Sequence, residues 1–302
     1  MQALMNFTLR QLQIFLAVVE NGSALSASKK LNISQAAVSS AIAELESGLD
    51  VVLFDRWKKR MVINDRGRLL IPQARLILSN ARELMQSFSD NGNMLSGTIR
   101  LGASRTISSY VIPNVLTRFV ESHPLVKFET TSFNKTNTIS KVEDFSLDIG
   151  IIAGECNKTD IQIIPWMTDE LCVFSSPNHP LAAKSRITIN DLSKCEWVVR
   201  EEGSGTLEVF LNALPNRIKP LKTIMEFNNL ESIKRTVEKG KALGCISKAA
   251  LQRELDAGIL KETPTPFLNL RRNYSFLVHK NRRKSALINA FLSEAGNASQ
   301  DL

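Results

Sequence analysis

Seven consecutive residues, Ser34-Gln35-Ala36-Ala37-Val38-Ser39-Ser40, carry the densest recognition chemistry in this 302-residue chain. Val38, Ala41, Ile42 and Leu45 recur at i, i+3, i+4 and i+7, so one face of a helix is apolar and belongs to a core. The opposite face holds Ala36, Ser39, Ser40 and Ala43, with Gln35 in the first turn and Ser34 placed to cap it. Side chains this small let a helix enter a major groove closely. The Gln35 amide matches the donor–acceptor pair of adenine, Ser39 and Ser40 can bond either kind of base edge, and Ala36 can meet a thymine methyl. Four cations follow within five residues: Arg56, Lys58, Lys59 and Arg60. They suit phosphate or minor-groove contact. Arg10, Ser23 and Ser28 are further phosphate candidates, which would position a reader without selecting sequence.

A second chemistry lies further along. Ser104-Arg105-Thr106 and Gly203-Ser204-Gly205-Thr206 each follow a β-rich run and open a helical one. Free amides and hydroxyls at a helix N-terminus favour an anion. Two such ends facing each other would hold a small oxyanion by hydroxyls and amides, without a neutralising salt bridge and with Arg105 pointing away. Asn134 and Lys135 can add donors, Asn229 sits in a comparable loop, and Trp166 can wall the cleft. The Lys-Ser/Thr pair of a phosphate loop and the third glycine of a dinucleotide loop are missing. His123, His179 and His279 are scattered, and Cys156, Cys172, Cys195 and Cys245 form no CxxC pair. No catalytic, metal or cofactor residue is therefore assigned, and a hydrolase built on Ser204 would lack a base. Cys156 and Cys172 are candidate redox thiols with no neighbour that lowers a thiol pKa.

These residues need elements to hold them. Leu9–Glu20 and Ala24–Lys30 read as helices, split by Asn21-Gly22 and capped by Ser23. Leu31-Asn32-Ile33 connects to the reading helix, which closes at Gly48. Val51–Phe54 and Met61–Ile63 flank the basic run as a hairpin, a wing. From Asn64 a helix extends to about Ser89. Its Leu70, Ala74, Ile77, Ala81, Leu84 and Phe88 are spaced 4, 3, 4, 3, 4, the pattern of a coiled-coil dimer seam. Pro72 marks its true start or a kink. Asp90–Asn93 reads as a hinge. From Thr98 short β-runs alternate with helices, which implies a mainly parallel α/β sheet. Strands are predicted at 99–103, 126–131, 149–152, 171–175, 197–200, 224–227, 244–247 and 274–278.

Length and 43% hydrophobic content allow more than one core. The formal charge of +8 permits a polyanionic partner without demanding one. Unpaired cysteines, no signal-peptide layout and no membrane-length apolar run point to a soluble, cytoplasmic, nucleoid-associated protein.

Together these motifs resemble the LysR-type transcriptional regulators. The resemblance spans nearly the whole chain and rests on Leu9-Arg10-Gln11-Leu12-Gln13-Ile14-Phe15, Ser34–Ser39, Leu45-Glu46, Leu53-Phe54-Asp55-Arg56 and Asn64-Asp65-Arg66-Gly67-Arg68. Ile112-Pro113, Phe119, His123-Pro124 and Asp148-Ile149-Gly150 extend it. It implies an α+β multidomain chain: a winged helix-turn-helix (1–64), a linker dimerisation helix (65–92), and a two-lobed α/β effector domain (93–302) like a type 2 periplasmic binding protein. Lobe I would be about 98–167 with 272–302, and lobe II about 168–271. The chain would cross between lobes near Pro165–Thr168 and Pro264–Arg271.

Residues 104–113 and 200–208 are similar to sulfur-metabolism members of the family. This similarity implies a small anionic effector, sulfite or sulfate first, with a small organic carboxylate as the alternative. A solute-binding protein is the remaining reading. Expected partners are double-stranded DNA, the anion, a second copy in a dimer or tetramer, and RNA polymerase, with no membrane. Three departures from the family pattern stand out: Ser40 where arginine is common, Phe133-Asn134 and Asn228-Asn229 where Gly-Asn is common, and Ala153 in place of an acidic residue.

Overall fold

The computed structural model describes residues 6–57, 60–87, 94–184, 186–282 and 285–298. The chain divides into two compact units, 1–92 with 143–146 and 93–142 with 147–302.

The first unit holds α1 (Leu9–Asn21), α2 (Ala24–Leu31), α3 (Gln35–Leu49), β1 (Phe54–Trp57), β2 (Arg60–Ile63) and α4 (Asp65–Ser87). Thr8, Ser23 and Ser34 cap the first three helices, each accepting a first-turn N–H. Leu12, Phe15, Val38, Ile42, Leu45 and Phe54 are buried together, and the Phe15 and Phe54 rings lie 5.6 Å apart. The wing is an antiparallel pair with Arg56 opposite Met61 and Trp57 opposite Arg60. Glu46 ties it to α3, because its Oε1 accepts the Leu53 and Phe54 N–H groups at 2.7 and 3.2 Å. Asn64 caps α4 by accepting from Gly67 N–H at 2.9 Å, and the helix runs on through Pro72.

The seam on α4 needs correcting. Ala74 is 0% exposed inside the reader's own core, and Leu70 and Ile77 pack against that core. A small alanine lets α4 lie close on α1, so the first half of the 3.5-residue pattern serves this unit. Among the described residues of α4 the apolar side chains left exposed are Leu69, Leu84 (62%) and Met85 (75%). Ala81 is half-buried, and Phe88 lies outside the described residues.

The second unit is built on β3 (Gly97–Ser104), α5 (Ile112–Ser122), β4 (Val126–Phe133), α6 (Lys135–Glu143), β5 (Ile149–Ala153), β6 (Ile161–Ser175), α7 (Ile189–Ser193), β7 (Glu196–Arg200), α8 (Gly205–Ala213), β8 (Lys222–Phe227), α9 (Leu230–Lys239), β9 (Leu243–Ser247), α10 (Gln252–Asp256), β10 (Lys261–Glu262), β11 (Arg271–His279) and α11 (Ala286–Ala298). The strand order is β4-β3-β5-β11-β6-β9-β7-β8, with β10 beside β6. β3, β4 and β5 are parallel in one lobe; β7, β8 and β9 are parallel in the other. The antiparallel pair β6–β11 joins them.

The strand expected at 171–175 is only the second half of a 15-residue β6. Pro165 cannot donate to a ladder, and the β6–β11 register shifts there, which sets Trp166 out of pairing. Lobe I closes over Leu101, Ile107, Phe119, Phe276 and Phe291, and lobe II over Val173, Trp197, Phe210 and Leu243.

Candidate functional sites: a reading groove and an interlobe cleft

In the first unit a groove of about 540 Å³ lies between α2, α3 and the wing, lined by Ser23, Leu25, Gln35, Ser39, Glu46 and Met61 among others. Gln35 and Ser39 are exposed and have no partner among the described residues, so each can donate and accept. Ala36 is exposed on the same helix outside the groove lining. Ser34 is committed to capping: it accepts from Ala37 N–H at 3.1 Å. Arg10 is exposed near the start of α1 and donates to Gln13. Ser40 differs from its neighbour Ser39, since its hydroxyl donates to Glu44 Oε1 at 2.9 Å.

Ser28 is a correction. It is buried and donates to Leu25 C=O at 2.9 Å, because an i−3 carbonyl is the acceptor in reach of a serine facing a core. It has no surface to offer a phosphate. Arg56 and Arg60 hold wing positions, and Lys58 and Lys59 lie outside the described residues.

In the second unit Ser104, Arg105, Thr106, Asn134, Ser204, Gly205 and Thr206 converge on one cavity between the lobes. β3 delivers the first three, and a π-helical stretch, Ile107–Val111, follows them. Ser204 precedes α8 without spending its hydroxyl on a cap. The hydroxyls of Ser104, Thr106 and Ser204 have no hydrogen-bond partner among the described residues. Asn134 Oδ1 accepts from Asn137 N–H at 2.8 Å, which starts α6 and brings Lys135 to the cleft. Gly205 is required by proximity: a Cβ there would lie 2.6 Å from Ala153 C=O in the other lobe. Gly203 sits at φ +76°, left-handed backbone that glycine adopts without strain, with the Asn134 amide close by.

Two expected residues are elsewhere. Trp166 donates its indole N–H to Ala295 C=O at 2.9 Å and stacks toward Phe276, because the register shift turns it into the lobe I core. Asn229 caps α9 by accepting from Glu231 N–H. Neither lines the cavity.

The cavity is also not free of salt bridges. Arg272, 1% exposed in its side chain, pairs with Asp169 at 2.7 Å and donates to Thr206 Oγ1 at 2.8 Å and Tyr274 OH at 3.1 Å. Arg200 is held by Glu201 at 2.8 Å, Arg105 reaches Glu201 at 3.4 Å instead of pointing away, and Lys135 bonds Glu208 at 2.6 Å across the lobes. Four cations thus face three carboxylates among the described residues, and the excess is one positive charge. Burial disfavours charge on Glu201, but the Arg200 hydrogen bonds and charge outweigh it and hold the carboxyl below its ordinary range. Arg200 and Arg272 were missed by sequence reading. The available signal was a cation at the end of an apolar strand in each case.

A second interlobe contact lies apart from the cavity lining. Tyr110 donates to Glu231 at 2.8 Å, and buried Lys234 reaches Glu231 and Glu254 at 2.5 and 2.7 Å. Of the candidate redox thiols Cys156 and Cys172, Cys172 loses support, because burial pushes it up to about 12. Among the described residues no His/Cys/Asp/Glu group could hold a metal, and no helix is long and apolar enough to cross a membrane.

Residues 9–68 match the model of the bacterial regulatory helix-turn-helix protein, lysR family, and residues 92–300 match the LysR substrate binding domain. The chain belongs to the LysR family of transcriptional regulators. It is a DNA-binding regulator with a small-molecule effector domain, not an enzyme. It is 38% identical over 288 residues to the uncharacterized HTH-type transcriptional regulator YeiE of Escherichia coli (strain K12), covering 95% of this chain and 97% of that protein. With the HTH-type transcriptional regulator CysL of Bacillus subtilis (strain 168) it shares 30% over 245 residues, 81% and 82% of the two chains. The regulator is not assigned to a sulfur-responsive branch, since CysL is one of several regulators near this identity, the probable RuBisCO transcriptional regulator of Trichormus variabilis among them at 31%.

Among solved structures, a full-length OxyR variant from Pseudomonas aeruginosa superposes with a TM-score of 0.76 at 20% identity, over 97% of this chain and 95% of that one. The Synechocystis PCC6803 CcmR regulatory domain in complex with 2-PG gives 0.64 at 22% identity, over 68% and 99%. The effector binding domain of QuiR in complex with shikimate gives 0.62 at 20%, over 68% and 99%. These likenesses establish that the regulator has the winged helix-turn-helix and two-lobed α/β fold.

Proposed function

We propose that this regulator reads DNA through Gln35, Ser39, Ser40 and Ala36, is anchored on phosphates by Arg10, Ser23 and the wing cations, and answers to a small organic acid held between its lobes. The observation that carries the effector half is the convergence of Ser104, Thr106, Ser204 and Thr206 on one cavity beside Arg272. Hydroxyls in such a cavity can donate to a carboxylate, and the single excess positive charge suits a monoanion. Shikimate, bound by QuiR, carries a carboxylate, and CcmR was captured with 2-PG, which supports this class over sulfite. A second reading, an inorganic oxyanion such as sulfite or sulfate, is favoured by size: the cavity of about 10 Å³ has room for roughly one water, so the smaller anion asks for less opening of the cleft.

In this proposal residues 1–64 form the reader, 65–92 the linker and 93–302 the effector domain. Two chains join along the outer face of α4, with Leu84 and Met85 at the contact. Calorimetry with small carboxylates, sulfite, sulfate and phosphate tests the effector. A carboxylate is expected to bind most tightly, with Thr106→Val and Ser204→Ala each weakening it while the fold persists. Tightest binding of sulfite would establish the second reading, and no binding of any anion would overturn both.

A further inference from the structure

Ser39 and Ser40 are adjacent, exposed and chemically identical, yet the fold treats their protons differently. Ser39 has no partner among the described residues. The Ser40 hydroxyl donates to Glu44 Oε1 at 2.9 Å, and since a carboxylate has no proton to give, the direction of that bond is fixed. Glu44 is itself held from α1: the Gln11 amide donates to its Oε2 at 3.0 Å. Gln11 is locked in turn by the capping box of α1, where its Oε1 accepts the Thr8 N–H at 2.8 Å and its own N–H reaches Thr8 Oγ1 at 3.2 Å. Four residues from two helices therefore fix one proton.

We infer that Ser40 is an acceptor-only element of the reading helix, which favours an amino-bearing base edge, adenine N6 or cytosine N4, over a keto edge. A serine hydroxyl ordinarily suits any base because it can donate or accept. With its proton committed to Glu44, Ser40 offers only lone pairs. Lone pairs meet N6–H or N4–H favourably and meet guanine O6, thymine O4 or a phosphate oxygen with repulsion. The charge of Glu44 adds to that polarity and opposes the phosphate backbone everywhere on the duplex. Ser40 thus supplies discrimination at one position while Glu44 lowers affinity in general, a division that Gln35 and Ser39 do not share. The inference rests on α3 being the reading helix.

The test uses the full-length protein. Duplexes enriched from a random pool define the bound site, and each of its base pairs is then replaced by its transition, which exchanges amino for keto at one place in the major groove. At one position of each half-site, wild type should prefer the amino base by roughly 3- to 10-fold. Ser40→Ala should abolish that preference. Glu44→Ala should abolish it too, because the freed hydroxyl can then donate or accept, and it should raise affinity for all duplexes alike. Gln35→Ala should leave this position untouched and relax another. A keto preference at the Ser40 position, or base preferences unchanged in both Ser40→Ala and Glu44→Ala, would overturn the inference. Failure of the wild type to enrich any sequence would instead overturn the reading-helix assignment beneath it.

Discussion

In the reading groove Gln35 and Ser39 face solvent with no partner among the described residues, whereas in the interlobe cleft Arg272 is buried against Asp169, Thr206 and Tyr274. These two side chains keep their hydrogen-bonding capacity unspent, ready for a large polyanion that brings its own partners. The cleft balances nearly all its charge internally and leaves its hydroxyls and one surplus cation for a ligand. Changes in the groove should therefore alter recognition and leave stability alone, while changes in the cleft should do both.

Arg272→Met breaks this contrast hardest, since Asp169 is left buried without its cation. A loss of about 3–5 kcal/mol is expected on urea unfolding of the full chain. Adding Asp169→Asn should recover much of it. Next come Leu84→Glu and Met85→Glu together, which should dissociate the dimer in sedimentation while the unfolding midpoint of each chain barely moves. Gln35→Ala should cost about 1–3 kcal/mol of discrimination between bound and random duplexes, with the melting temperature unchanged. Equal losses on both duplexes would mean Gln35 reads no base.

The smallest effect is a pH one. The Glu201 carboxyl is held below its ordinary range by Arg200 despite burial. A depressed carboxylate contributes stability above its unfolded pKa and loses it as pH falls through the folded one. The second unit should therefore begin to weaken below about pH 4.5 through this pair, and Glu201→Gln should flatten that limb in thermal melts.

The two sites differ in how far the sequence announces them, for a physical reason. The groove residues on α3 lie on one short helix, so 3.6-residue periodicity and small side chains are enough to find Gln35 and Ser39. Capping chemistry likewise places Ser23 and Ser34. The cleft is assembled from β3, α6, β7, α8 and β11, and only its two Ser/Thr-rich turns have a local signature. Arg200 and Arg272 look like strand ends because their arrival at the same cleft is a tertiary fact, as is the pairing of Arg272 with Asp169. Trp166 and Asn229 misled for the same reason: a large aromatic and a loop asparagine carry no mark of which side they face. The α4 pattern was visible but ambiguous, since burial of Ala74 on α1 and a coiled-coil seam ask for the same spacing. Ser28 shows a further limit, as a hydroxyl facing a core can satisfy itself on a carbonyl of its own helix.

The ribbon formed by β6 and β11 has a mechanical consequence. Both crossings between lobes run through these two strands, which pair from Ile161 opposite His279 to Glu170 opposite Arg271. A hydrogen-bonded ribbon resists stretching and in-plane shear, because either motion breaks rungs. Its twist is compliant, since two-stranded ribbons already span a wide range of twist angles. Asp169 opposite Arg272 forms a rung near the lobe II end, and Thr206 reaches Arg272 from α8. The lobes are therefore coupled by something close to a torsion bar, and a ligand that pulls on Thr206 exerts its leverage as torque about the ribbon axis.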